Sequence, residues 1–372
     1  MAHFGLDGLR LVLQKAGLLN KTVPLWKRFA EATKIDEVRG ILDLQLPTIT
    51  DLSEVLGIAD LGKVLAVRMD LNTHVDNHKK VVIAGLILRG VITGRIPNER
   101  IDTLIDGGNF NSAKALKYYV ERFGMKGMYI MSYLFPKDII DLLESDNFTV
   151  VRAPHKYDHA REREFYEFLR ERMRDEKFGR NKFCLWHAKY GGAVAYPFGK
   201  GIAQEIKTPL DCTIACLGAG SILEGLQIPI QDVFEEKGLS LPAIFIAEHQ
   251  LSPLFAKSIT VQTVSGDVIP SHMADARKYR RVPELPHIVI GPHYDEINPL
   301  LSQASIARVK GVVQYSEVDW QATQAFLAER GISVGNSSAA NISVAWRLAS
   351  ERHRVLTVIY EPWRSFYSPI KT

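Results

Sequence analysis

The chain of 372 residues is poor in cysteine, with three. Cys184, Cys212 and Cys216 lack the spacing of a zinc site, and two of them fall in an apolar run that reads as a buried strand. A disulfide framework is excluded as the basis of folding, and a reducing, cytoplasmic setting fits. No apolar run reaches the length that spans a bilayer. Residues 1–7 have no charged segment followed by an apolar core, so no signal peptide and no membrane partner are expected. Neither sign of charge dominates: 46 Lys and Arg stand against 42 Asp and Glu, for a net charge of +4. No dense Lys/Arg block occurs, which argues against a nucleic-acid partner. His272, His287 and His293 lie in one region without a helical metal-ligand spacing, so no metal is expected. Internal repeats and low-complexity tracts are absent.

What is present is an alternation of strands and helices. Residues 6–20 read as an amphipathic helix and 26–62 as broken helix, interrupted at Pro47 and Gly57. Strands follow at Val64–Val67, Ile101–Ile105, Gly127–Met131 and Phe148–Val151. Helices are expected over Val81–Val91, Ser112–Phe123 and Pro136–Leu143, with a densely charged helix over 159–178. A second series places strands at Cys212–Leu217 and near Ala243–Ala247, His287–Ile290, Val312–Gln314 and Val355–Tyr360. Its helices lie near Asp319–Arg330 and Ser338–Arg352. Such alternation implies α/β architecture, with parallel or mostly parallel sheets covered by helices on both faces. Three regions are expected: an N-terminal helical segment (1–62), a smaller α/β domain (63–185) and a larger one (186–372).

In such folds ligands bind at the carboxyl ends of strands, and four loops qualify. The first is the polar turn before Val81, containing Asn77-His78-Lys79-Lys80. The second is Asp106-Gly107-Gly108-Asn109-Phe110-Asn111, which a Gly-Gly turn with an asparagine cap also explains. The third is Gly218-Ala219-Gly220-Ser221. There an apolar strand turns through glycines into a helix, with Ser221 placed to cap it. A helix start offers unpaired N–H groups and partial positive charge, which suits a phosphate. The fourth is Gly335-Asn336-Ser337-Ser338.

Taken together the loops resemble the pyridoxal-phosphate enzymes of the tryptophan synthase β-subunit and cysteine synthase group (fold type II). The resemblance runs from about Thr22 to Ser368. Asn77-His78-Lys79 is similar to the motif whose lysine carries the cofactor as a Schiff base. The spacing from Leu71-Asn72 is one residue longer than the family pattern, so Lys80 stands as an alternative. The Asp106–Asn111 loop is similar to the substrate loop. This implies Asp106 as catalytic acid, Asn109 on the cofactor's ring hydroxyl, and Gly107, Gly108 and Phe110 around the substrate. Gly218, Ala219, Gly220 and Ser221, with Gly225 beyond, resemble the phosphate loop. Val334 to Ala340 resembles the motif whose serine, here Ser337, meets the pyridine nitrogen. The tail from Val355 through Phe366-Tyr367-Ser368 resembles the terminal strand and its Tyr-Leu-Ser ending. The usual Asp/Ser-Gly-Glu-Arg is replaced by Glu361-Pro362-Trp363-Arg364.

The resemblance implies β-elimination or β-replacement on serine or a serine- or cysteine-like amino acid through an aminoacrylate intermediate. It also implies an unidentified second nucleophile and a homodimer. A hydroxyl cannot keep the ring nitrogen protonated as a carboxylate would, which makes the ring a weaker electron sink. Two rivals stand beside this reading. One is an NAD(P)-dependent oxidoreductase, with Gly218-x-Gly220 after a strand and Glu248 at the end of the next. Its acid lies about thirty residues on, where about twenty is usual. The other is a family-like protein that binds without turnover.

Overall fold

The computed structural model describes residues 39–96, 101–132, 135, 137–154, 162–258, 262–264, 298 and 300–363. Eleven strands are formed among the described residues: β1 (Ile49–Asp51), β2 (Lys63–Arg68), β3 (Thr103–Gly108), β4 (Lys126–Met131), β5 (Phe148–Arg152), β6 (Lys182–Cys184), β7 (Cys212–Cys216), β8 (Ala243–His249), β9 (Gln262–Val264), β10 (Val309–Tyr315) and β11 (Arg354–Ile359). The helices are α1 (Lys79–Ile92), α2 (Phe110–Phe123), α3 (Lys137–Asp141), α4 (Glu162–Arg174), α5 (Glu176–Gly179), α6 (His187–Glu205), α7 (Ile228–Glu236), α8 (Leu254–Ser258), α9 (Gln303–Ile306), α10 (Glu317–Ala328) and α11 (Asn336–Ser350). The chain divides into two compact units. The first comprises Met1–Gln45, Thr73–Val75 and Lys79–Val194, and the second Leu46–Asn72, Asp76–His78 and Ala195–Thr372.

The first unit holds a four-stranded sheet in the order β5-β4-β3-β6, parallel throughout. In α2, Ala113, Leu116, Val120 and Phe123 are buried, the spacing that puts one helix face against a core. Asn109 caps the start of this helix by accepting from the Ser112 N–H, and Gly124 ends it in the left-handed conformation with φ 64°, where glycine carries no steric cost.

The second unit holds a seven-stranded sheet in the order β1-β2-β11-β7-β8-β10-β9. Only β1 runs antiparallel to its neighbour. All five residues of β7 are buried, as expected for a central parallel strand covered on both faces. The core of this unit gathers Ile214, Ile246, Val312, Trp320, Ile342 and Val358 from strands and helices alike. Its β-branched strands supply the packing that the run Val355–Ile359 advertises in sequence.

Several expectations are corrected. Residues 49–51 form a strand, where broken helix was expected over 26–62. Residues 63–68, assigned by sequence to the smaller domain, pair in register with β11 in the larger sheet. A short apolar run says that it is buried, not which sheet buries it. The charged helix over 159–178 is interrupted at Asp175, whose side chain caps α5. The long helix α6 was not expected, because Gly191, Gly192, Pro197, Gly199 and Gly201 lie in it. The glycines serve close packing: a Cβ on Gly199 would lie 2.2 Å from the Gly225 carbonyl oxygen. Residues 6–20 and His287–Ile290 lie outside the described residues.

Candidate active site

Tyr360, just beyond β11, touches two of the four loops and the strand end that leads into a third. Its hydroxyl donates to the Cys216 carbonyl at 2.7 Å, the last peptide of β7 before the glycine loop. Its backbone N–H donates to Ser338 Oγ at 2.9 Å, on the first turn of α11. Its ring packs against the His78 ring with centroids 4.8 Å apart. Burial, with Cys216 beside it, pushes the Tyr360 phenol well above its ordinary value, so it stays a neutral donor. The Cys216 thiol is likewise pushed up to about 12 by burial and is no nucleophile.

The glycine loop turns the end of β7 into a helix. Gly220 has φ +88°, and a Cβ there would sit 2.7 Å from Leu301 Cδ1, so conformation and space both call for glycine. The Ala219 carbonyl accepts from Asn298 Nδ2 at 2.8 Å. A trans peptide then turns the Gly220 N–H away from Asn298. Helical structure begins at Ser221, and the first turn is closed by Glu224 N–H donating to Gly220 O at 3.1 Å. Ser221 is therefore the first helical residue, not the cap that the sequence suggests. The N–H groups of Ser221, Ile222 and Leu223 precede any intrahelical partner. The helix continues through a π-turn, Leu223–Gln227, into α7. Such turns recur at functional sites.

At the fourth loop Gly335 is the cap of α11. Ser338 is fully buried and structural: its Oγ receives the Tyr360 N–H and donates to the Glu361 carbonyl at 3.3 Å. Ser337 is half-buried, and its hydroxyl donates to Glu361 Oε1 at 3.4 Å.

The two lysines separate clearly. Helix α1 begins at Lys79, two residues earlier than expected, and both lysines are buried. Lys80 Nζ donates to Asp43 Oδ2 at 2.6 Å and to the Thr73 carbonyl at 2.7 Å. Tyr118 Oη donates to the same Asp43 oxygen at 2.8 Å. Burial pushes the Lys80 ammonium below its ordinary value, against the pull of Asp43. Asp43 itself is held below the usual carboxylate range: partial burial opposes this, and the bonds from Lys80 and Tyr118 outweigh it. Lys80 is thus an anchor of the first unit. Lys79 follows directly on His78, whose ring lies on Tyr360. Lys80→Met should cost about 2 kcal/mol. That lies between the ~1 kcal/mol of exposed pairs and the ~3 kcal/mol of fully buried ones. Chemical denaturation measures the cost, and the amine at position 79 should keep its reactivity.

The second loop belongs to the first unit. Asp106, expected on the strand rim, lies inside β3 and is fully buried. Its Oδ1 accepts from Gly107 N–H at 2.9 Å and its Oδ2 from His187 N–H at 3.2 Å. His187 Nδ1 is also 3.2 Å from Oδ2, though off the line of a hydrogen bond. A carboxylate at the start of α6 meets the positive end of that helix. Asp106 therefore ties β3 to α6. Gly108 has φ +141°, and a Cβ would come within 3.1 Å of both His187 Cε1 and Tyr129 Oη. Tyr129 Oη donates to Ser112 Oγ at 2.5 Å, and Ser112 Oγ in turn to Asn109 Oδ1 at 3.1 Å. Asn109 is thus committed through its oxygen, which leaves its amide nitrogen as donor. Phe110 is buried at the first position of α2.

Sequence reasoning missed Tyr360 and Glu361 as members of these clusters. Their positions just beyond β11 were the available signal, since parallel strands end at ligand sites. The nicotinamide alternative loses its acid. Glu248 is buried and accepts from Phe255 N–H at 2.5 Å and Ala256 N–H at 3.1 Å, capping α8. Among the described residues no helix is long and apolar enough to cross a membrane, and no cluster of three or more His, Cys, Asp or Glu is arranged to hold a metal.

The architecture is the α/β, two-domain fold of tryptophan synthase β-like enzymes, as the sequence resemblance implies. Among solved structures the chain is similar to O-ureido-L-serine synthase, with TM-score 0.67, 16% identity, and coverage of 88% of this chain and 93% of that one. It is similar to the O-acetylserine-dependent cystathionine β-synthase of Helicobacter pylori, with TM-score 0.63, 18% identity, and coverage of 86% and 94%. It also matches a hydrogen sulfide-producing enzyme of Fusobacterium nucleatum, with TM-score 0.66, 12% identity, and coverage of 86% and 97%. At such identities the likeness establishes the fold. No family model matches, and no curated protein matches.

Proposed function

We propose that the protein is a pyridoxal-phosphate enzyme acting by β-elimination or β-replacement on serine or a serine- or cysteine-like amino acid. The observation that carries this reading is the set of contacts made by Tyr360: the His78 ring next to Lys79 in the chain, the Cys216 carbonyl at the strand end before the glycine cradle, and Ser338 in the Ser337-Ser338 turn. Such a cofactor needs an amine, an anion site and a group for its ring nitrogen, and those stretches supply one each. The donor set fits. The cradle offers backbone N–H groups, a helix start, and the hydroxyl of Ser221, a buried residue. Asp106 and Lys80 are held by structural contacts.

When bound, pyridoxal phosphate withdraws electrons from the substrate's α-carbon and so eases departure of a group from the β-carbon. The Lys79 amine holds the cofactor and carries the α-proton. Gly218, Ala219, Gly220 and Ser221 hold the phosphate, and Ser337 meets the ring nitrogen. Asn109 donates to the ring hydroxyl through its amide nitrogen. Gly107, Gly108 and Phe110 border the amino acid. The solved relatives named for O-ureido-L-serine and O-acetylserine support a serine derivative as substrate. A cytoplasmic homodimer that accepts a second small nucleophile completes the reading.

The test is reconstitution. Purified protein mixed with pyridoxal phosphate and desalted should stay yellow, and borohydride should abolish the visible band. Colourless protein after desalting would refute the reading. A retained band without turnover of any serine derivative would favour a binding protein instead.

A further inference from the structure

We propose that Glu361 sets the protonation of the cofactor's ring nitrogen, acting through Ser337 as a positioning residue. The inference rests on the reading above, in which Ser337 meets that nitrogen. Glu361 leaves the end of β11 and is only 4% exposed. Its Oε1 accepts the Ser337 hydroxyl at 3.4 Å. Its backbone is fixed by the Gly335 N–H at 2.9 Å and the Ser338 hydroxyl at 3.3 Å, both donated to its carbonyl. A Cβ on Gly335 would lie 2.6 Å from Glu361 Cγ and 2.9 Å from Oε1. The glycine at the cap of α11 is what admits the carboxylate to the turn. The positive end of a helix favours the ionised form of an acid placed there. An anionic cap for α11 would account for the acid alone. The bond to the Ser337 hydroxyl adds a consequence that a cap does not have.

A hydroxyl carries one proton and two lone pairs. With its proton given to Glu361, Ser337 Oγ faces a second partner as an acceptor. A ring nitrogen that meets it must bring its own hydrogen, taken from water as the cofactor seats, and no bond to carbon changes. A serine with no carboxylate behind it would donate to a neutral ring nitrogen instead. The Ser337–Glu361 pair therefore makes the ring a stronger electron sink than Ser337 alone implies, reversing the expectation drawn from sequence.

The experiment is nitrogen-15 NMR of the full-length protein reconstituted with pyridoxal phosphate labelled at the ring nitrogen. Wild type should show the upfield signal of a protonated pyridinium at neutral pH. Glu361→Leu should move it downfield to the position of a neutral pyridine, and Glu361→Gln should move it in the same direction. A neutral signal in wild type, with the visible band present, overturns the proposal and leaves the cofactor reading standing. A wild type that takes up no cofactor overturns both. If Glu361→Leu fails to fold, the wild-type signal and the near-isosteric Glu361→Gln decide. An unmoved signal in a folded variant also overturns the proposal.

Discussion

Borohydride reduction of the reconstituted protein, followed by proteolysis and mass spectrometry, should place the phosphopyridoxyl group on Lys79 and none on Lys80. The expectation follows from what each amine already does. Lys80 has its ammonium on Asp43 and on the Thr73 carbonyl, so covalent use would break a buried ion pair. Lys79 is the residue after His78, and His78 packs on the tyrosine that also holds the strand before the cradle. Lys79→Ala should abolish the adduct and lower turnover of a serine derivative by on the order of 10²–10⁴, the range for losing a positioned base. Lys80→Met should lower stability and leave the adduct in place. An adduct on Lys80 would shift the register of the whole motif by one residue.

Asp106→Ala should be the most damaging substitution for the fold among the proposed site residues, and its effect should not depend on the leaving group. Two backbone N–H groups, of Gly107 and His187, lose their acceptor in a fully buried place. Each stranded donor costs about 1–3 kcal/mol. A total near 3 kcal/mol is expected, and a fall in melting temperature of roughly 4 °C. Calorimetry reads the first effect. The second is read by comparing Asp106→Asn on serine and on a substrate with a good leaving group. A positioning role for the carboxylate lowers both rates alike. A loss confined to serine would restore the general-acid role that the resemblance implies.

How much the sequence disclosed depended on the range of the interaction. The Cys212 to Ser221 stretch carried its own evidence: an apolar run, two glycines and a helix start, and the structure forms a strand, a turn and a helix there. Lys79 was legible as a motif. Its burial and its separation from Lys80 were not, because the deciding partner, Asp43, lies 37 residues away in the chain. Asp106 was read as a rim residue since Gly107-Gly108 looks like a turn. β3 runs through both glycines, which are small because Phe165, His187 and Tyr129 crowd them. The α6 helix was hidden by the same logic: its glycines report tight packing, and local propensity counts them as breakers. Glu361 stood in the sequence where a family motif was missing, and its meaning appears only once Ser337 lies beside it.

The pairing of β2 with β11 also bears on the order in which the protein can be made. β2 emerges from the ribosome about 290 residues before the strand that pairs with its inner edge. At the ~5–20 residues per second of synthesis, it waits on the order of fifteen seconds to a minute for its partner. Until then the short β1–β2 pair offers an apolar edge with unmet hydrogen bonds, while the contiguous β3–β6 sheet of the first unit already has all its strands. The large sheet closes only when β11 arrives, so its folding is slowed by long-range contacts, and its β2 edge stays open to chaperones through that interval.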